Sequence, residues 1–129
     1  MKKILLWIVG VFIVMQLVPV DRTNKPVDKK QNFVDVLQSP KQVQEILKNA
    51  CYDCHSNEVK YPKYAYVAPI SWSIKHHINE GRERVNFSEW TSYNAEQKDH
   101  ILDDVIESVQ NKEMPLKGYI PMHPEANIT

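Results

Sequence analysis

An all-α fold in one small domain is what this sequence predicts, and three observations predict it. Apolar residues recur at helical spacing in separate segments, alternating β patterns and hairpin turns are absent, and two helix starts carry capping residues. A chain of 129 residues with 43% hydrophobic and 25% charged side chains is long enough for one modest core. Basic and acidic groups balance at 16 each, which argues against nucleic acid as a partner. Gly10, Gly81 and Gly118 fall in no phosphate-cradling pattern, so a nucleotide loop is unsupported.

The first element is apolar. Lys2 and Lys3 precede a run from Ile4 to Val18 broken only by Gly10 and Gln16, the pattern of a charged region and an apolar region in an export signal. As a helix, Ile4 to Val20 would be about 25 Å long, spannable with local thinning of the bilayer. The small-x-small pattern that a signal peptidase needs is missing from Met15 to Pro19, and no cysteine follows for lipid attachment. Residues 1–20 are therefore expected to form an uncleaved transmembrane helix, with Lys2 and Lys3 cytoplasmic and the remainder in the periplasm or on the exported side. A buried core helix is the competing reading; two lysines ahead of a run at the extreme terminus weigh against it. Residues 21–38, rich in charge, Asn and Pro, read as a polar linker, which places a folded domain over 39–129.

Ser39 as N-cap and Pro40 at the first helical position start the next helix, in which Val43, Ile46, Leu47 and Ala50 share one face. That helix leads directly into Cys51-Tyr-Asp-Cys54-His55. In this C-x-x-C-H run two thiols can each add across a vinyl group of one haem while the adjacent imidazole meets the iron. The rival readings are weaker. A redox dithiol calls for a preceding strand, whereas Val43 to Ala50 has helical spacing. Zinc on Cys51, Cys54 and His55 would be strained and lacks a second ligand pair. A disulfide across two residues would constrain little of the unfolded chain. The expected cofactor is haem c, an iron group attached covalently through Cys51 and Cys54 with His55 as metal ligand.

A further helix is expected from about Pro69 to Glu80, with Ile70, Ile74 and Ile78 four apart and Gly81 placed to end it. Ahead of it, Tyr61-Pro62, Tyr64 and Tyr66 form an aromatic loop able to cover a flat macrocycle. The best-marked helix follows Asn94, an N-cap that makes a capping box with Gln97; Ile101, Leu102, Val105, Ile106 and Val109 form its apolar stripe. Glu96, Asp99, Asp103, Asp104 and Glu107 occupy the opposite face, a solvated surface first and a docking face for a basic redox partner second.

The second axial position on the iron decides the function. Met114 leads the candidates: in Lys-Glu-Met-Pro-Leu it lies just past the last helix, where Pro115 stiffens a loop that presents the thioether. His76, His77, His100, Met122 and His123 are the alternatives, and an unfilled position is another. A histidine on a helix surface is more often solvated or hydrogen-bonded than a ligand.

The ordered series Cys51-Tyr-Asp-Cys-His55-Ser-Asn, Tyr61-Pro62, Pro69-Ile-Ser-Trp72, His76-His77, Gly81-Arg82, Asn86-Phe-Ser-Glu-Trp90, Met114-Pro-Leu and His123-Pro-Glu-Ala126 resembles the small haem-binding domain family of exported bacterial monohaem proteins, common in Bacteroidetes-type genomes. The likeness covers about Val43 to Ala126. It implies a cytochrome-c-like helical domain with haem held by Cys51, Cys54 and His55, and it conveys haem binding without a known reaction. Such domains usually continue past a His-Pro-Glu-Ala stretch into a final helix, which the present sequence does not include. Within the resemblance, Tyr64, Trp72 and Trp90 become candidates for packing the ring, and Arg82 or an indole N–H for bonding propionates. The competing reading is core packing for the aromatics and plain solvent exposure for Arg82. Asn86-Phe-Ser and Asn127-Ile-Thr match a glycosylation pattern and are read more simply as turn or cap residues.

Two functions fit. One is single-electron transfer to a redox partner protein in a membrane electron-transfer chain, for which a His/Met haem suits a raised potential. The other is a haem-based sensor or small-ligand module, which requires an open or displaceable axial position. No nucleophile–base set or carboxylate pair is present in a recognisable pattern, so an electron carrier is expected in place of an enzyme.

Overall fold

The computed structural model describes residues 1–128, and these hold α-helices and short 3-10 turns with no strand. The helices are α1 (Lys2–Met15), α2 (Phe33–Val36), α3 (Lys41–Ala50), α4 (Tyr52–His55), α5 (Ile70–Arg84) and α6 (Ala95–Gln110). Turns of 3-10 type cover Lys63–Tyr66, Phe87–Ser92, Ile120–Met122 and Pro124–Ala126. The all-α expectation holds.

The core is aromatic and sits beside the Cys51 segment. Phe33, Val34, Leu47, Tyr52, Val85, Phe87 and Trp90 are buried together, and Cys51, Tyr93, Ile101, Leu102 and Val105 pack against them. Phe33 meets the edges of Phe87 (centroids 5.3 Å apart) and Trp90 (4.7 Å), while Phe87 stacks on Tyr52 at 5.6 Å. Such edge and stacked pairs add about 0.5–1.5 kcal/mol each beyond area burial. The Tyr52 hydroxyl donates to Asn32 Oδ1 at 3.1 Å, satisfying two groups that burial would otherwise strand.

Three expectations need correction. The N-terminal helix ends at Met15, so its 14 residues span about 21 Å, and among the described residues no helix is long and apolar enough to cross a membrane. Pro19 disfavours helical backbone at Val18, and Gln16 at the C-cap donates from its side-chain amide both to the Phe12 carbonyl at 2.9 Å and to the distant Ala68 carbonyl at 3.1 Å. Nor are residues 21–38 a free linker. Asn32, Phe33 and Val34 are buried, so the folded unit begins before Ser39; two apolar residues in a polar stretch suffice once an aromatic core accepts them. Finally, Gly81 does not end its helix, for α5 continues to Arg84. There the glycine's missing side chain matters more than its flexibility, as the site makes clear.

The other starts and stops follow the sequence closely. Asn94 and Gln97 form the reciprocal capping box on α6. α3 begins one residue late, with Pro40 in the cap position and Ser39 contributing only its carbonyl, which accepts from Gln44 Nε2 at 2.7 Å. Asn86 caps the Phe87–Ser92 turn by accepting from the Ser88 N–H, the structural role read for it.

Candidate functional site

Cys51, Cys54 and His55 are drawn to one side by a single helical turn. The Cys54 and His55 amides both donate to the Cys51 carbonyl, at 3.2 and 2.9 Å, which fixes the three residues at i, i+3 and i+4. Residues at that spacing share a face, so two free thiols and one imidazole point the same way. A covalently attached haem needs this disposition: two sulfurs along one edge and a nitrogen toward its centre.

His55 has one ring nitrogen committed and one free. Its Nδ1 lies 3.3 Å from the Val85 carbonyl, and a carbonyl partner requires the proton on Nδ1, which leaves Nε2 with its lone pair open. Burial holds this imidazole below the usual histidine range, against the opposing pull of the Val85 and Gly81 carbonyls, so it stays neutral at physiological pH. Phe87 sets the ring from the side, edge-on at 6.3 Å.

Close backbone approach builds the turn. A Cβ on Gly81 would lie 2.8 Å from the Cys54 carbonyl oxygen, so α5 presses on the turn where only glycine fits. Gly81→Ala gains about 1 kcal/mol of helix propensity. It should still destabilise the fold, because overpacking against backbone costs about 1–3 kcal/mol and no rotamer relieves it. Denaturant unfolding of the variant would show the sign.

Burial pushes the Cys51 and Cys54 thiols up to about 11, helped at Cys51 by the charge of Cys54 and at Cys54 by Asp53, with Arg82 pulling the latter back. Both start from 9.0, so at neutral pH each thiolate is on the order of a hundredfold scarcer than in an unfolded chain. Iodoacetamide labelling of haem-free protein near pH 8 is expected to slow by about that factor relative to denatured protein. Because the folded state keeps these protons longer, its stability should fall as pH rises from 9.0 through about 11.

The pocket candidates divide. Trp90 belongs to the core cluster, which is the packing reading. Arg82 donates from Nε to the Ser56 carbonyl at 2.8 Å and so braces the chain just past His55. Tyr64 pairs with the C-terminal tail: its hydroxyl donates to His123 Nε2 at 2.6 Å, since His123 Nδ1 faces Glu125 Oε1 at 3.2 Å. Tyr119 stacks on His123 at 4.0 Å and donates to Asp53 Oδ2 at 2.7 Å, tying the tail to the middle of the cysteine turn. Neither Tyr119 nor Asp53 was picked out by sequence, because their link joins positions 66 residues apart and neither type signals it alone.

Among the axial candidates, His76 and His100 lie on helix surfaces beside Glu80 and Asp104, and His77 and Met122 are exposed. His123 is engaged on both nitrogens. Met114 is half-buried before the buried Pro115, and its amide donates to the Ser108 carbonyl at 3.2 Å, anchoring the loop to the end of α6.

The chain's own chemistry fits haem. No residue of α6 is buried although its stripe packs on the core, and Val43, Ile46 and Ile106 stay exposed, apolar surface suited to a flat hydrophobic ring. Trp72 Nε1, Tyr61 Oη and Arg82 Nη2 are buried donors without a partner in the chain, the kind of group two propionates would satisfy. Glu58 Oε2 is likewise unpartnered. A surface cleft of about 540 Å³ between residues 21–25 and α5 is lined by charged and polar side chains without either cysteine, so it is no haem pocket. Among the described residues no group of three or more His, Cys, Asp or Glu is placed to hold a metal ion by itself.

A small helical domain with two thiols and an iron-ready imidazole on one turn defines a haem-binding module. Residues 10–129 match the family model described as a haem-binding domain, and the chain belongs to that family. No curated protein and no solved structure matches the chain.

Proposed function

We propose that this chain is a single-haem c-type electron carrier working at the exported face of a membrane, with haem joined to Cys51 and Cys54 and iron held between His55 and Met114. The observation that carries this reading is the common face of Cys51, Cys54 and His55, with His55 Nδ1 committed to Val85 and Nε2 free. When bound, the haem supplies a one-electron iron couple. The protein's part is attachment, orientation and exclusion of water. Cys51 and Cys54 would hold the group by thioether links, each S–H adding across a vinyl double bond, sulfur to one carbon and hydrogen to its neighbour, so that no electrons would be removed. Burial of the aromatic core beside Cys51 keeps that edge dry, and the Val85 carbonyl keeps the imidazole from rotating.

Met114 is favoured as second ligand by the engagement of His123 and the exposure of the other candidates. The acidic face of α6, with Glu96, Asp99, Asp103, Asp104 and Glu107, suits a basic redox partner protein in a membrane electron-transfer chain. Association with the membrane falls to α1, whose apolar residues are exposed on every side and need a cover the domain does not provide. The exported side follows from the attachment chemistry, which bacteria carry out there.

Attachment is tested directly. Haem is expected to stay with the denatured wild-type chain in mass spectrometry. Cys51→Ser and Cys54→Ser should each shift the reduced pyridine haemochrome band as one thioether is lost, and the double variant should release haem to acidified acetone. Release from the wild type would overturn the proposal.

A further inference from the structure

At the foot of α1 the chain makes an unusual tie. The Gln16 side-chain amide donates to the Ala68 carbonyl at 3.1 Å and accepts from the Ala68 N–H at 2.9 Å, so one glutamine holds both polar groups of one backbone residue 52 positions away. A second strap follows six residues later. Arg22 Nε donates to the Ala65 carbonyl at 2.9 Å, and its guanidinium lies 4.4 Å above the centre of the Tyr66 ring. The apolar helix therefore does not swing on a tether; its exit is pinned to the corner between the Lys63–Tyr66 turn and α5.

That corner is apolar and open. Tyr66 is 60% exposed and Leu17 76%, and Val18, Val67 and Ile70 are exposed around them. An exposed aromatic with a cation on its face, next to aliphatic side chains, is the composition that settles at the headgroup boundary of a bilayer. α1, apolar on every side, ends beside it at Met15.

We propose that the Tyr66–Ile70 corner is a second lipid contact, which seats the haem domain on the membrane surface in one fixed orientation, with Gln16 as the clamp. The inference rests on the membrane role given to α1 above. Its occupant is the lipid interface, because the corner adjoins a helix whose apolar residues are exposed on every side. The consequence is directional: the domain cannot tumble about its anchor, so one side of it always faces the partner.

Spin labels on the full-length haem-loaded protein in liposomes of phosphatidylethanolamine and phosphatidylglycerol test this. Labels are placed singly at Ile8→Cys, Val67→Cys and, as an aqueous reference, Glu96→Cys, with one label per chain verified by mass. Collision with oxygen against a water-soluble nickel chelate reads depth. Labels 8 and 67 are expected to favour oxygen while label 96 favours nickel, and adding Gln16→Ala should return label 67 to water and leave label 8 in lipid. An aqueous label 67 with label 8 in lipid overturns the seating and spares the anchor. An aqueous label 8 overturns the anchor and the inference with it. Dipolar broadening of label 67 that grows with protein-to-lipid ratio would assign the corner to a second copy and also overturn the proposal.

Discussion

Met114→Ala is expected to turn a low-spin, six-coordinate haem into one that binds carbon monoxide readily. A thioether axial ligand raises the reduction potential and fills the iron, so its loss should lower the potential and open the site. The readouts are the ferric optical and EPR spectra, carbon monoxide titration of the reduced protein, and a redox titration. The fold should survive, because Met114 is half-buried in a loop and lies outside the core cluster. If the wild type already looks five-coordinate, or the variant's spectrum is unchanged, the ligand is not Met114. A wild type that binds carbon monoxide as readily as the variant would move the function to a ligand-binding module.

Phe87→Ala should be the most damaging core substitution. Phe87 is 2% exposed and sits among Phe33, Tyr52, Trp90 and His55, so its removal leaves a cavity with rigid aromatic walls that cannot collapse inward. A loss of about 3–5 kcal/mol is expected, read from denaturant unfolding. Because the same ring flanks the His55 imidazole, proposed as an iron ligand, the variant's ferric spectrum should also show heterogeneity in His55 orientation. A stability loss with an unaltered spectrum would show that the Val85 carbonyl alone sets the ring.

The local signals were legible to different depths. α3 and α6 are written in period and cap, since those depend on neighbours within one turn: Val43, Ile46, Leu47 and Ala50 for one, Asn94 and Gln97 for the other. At Gly81 the local signal points the wrong way, for a physical reason. A glycine near the end of an apolar pattern usually marks a stop, yet here it allows α5 to press on the Cys54 carbonyl, a requirement imposed by a residue 27 positions earlier. Phe33 and Val34 look isolated in a polar stretch and become core only when Phe87 and Trp90 arrive from elsewhere in the chain. The apolar N-terminal run was visible, but the bonds that join Gln16 at its foot to Ala68 were not.

The sequence by itself determined which groups stand together: two thiols and an imidazole within five consecutive positions of an all-helical chain, because helix periodicity places residues at that spacing on one face. Tertiary structure alone decided what surrounds that turn. The carbonyl that frees His55 Nε2, the glycine contact, the Tyr119 tie to Asp53 and the Gln16 clamp all join residues far apart in the chain. Contacts of that kind depend on how the helices pack, which no local pattern records.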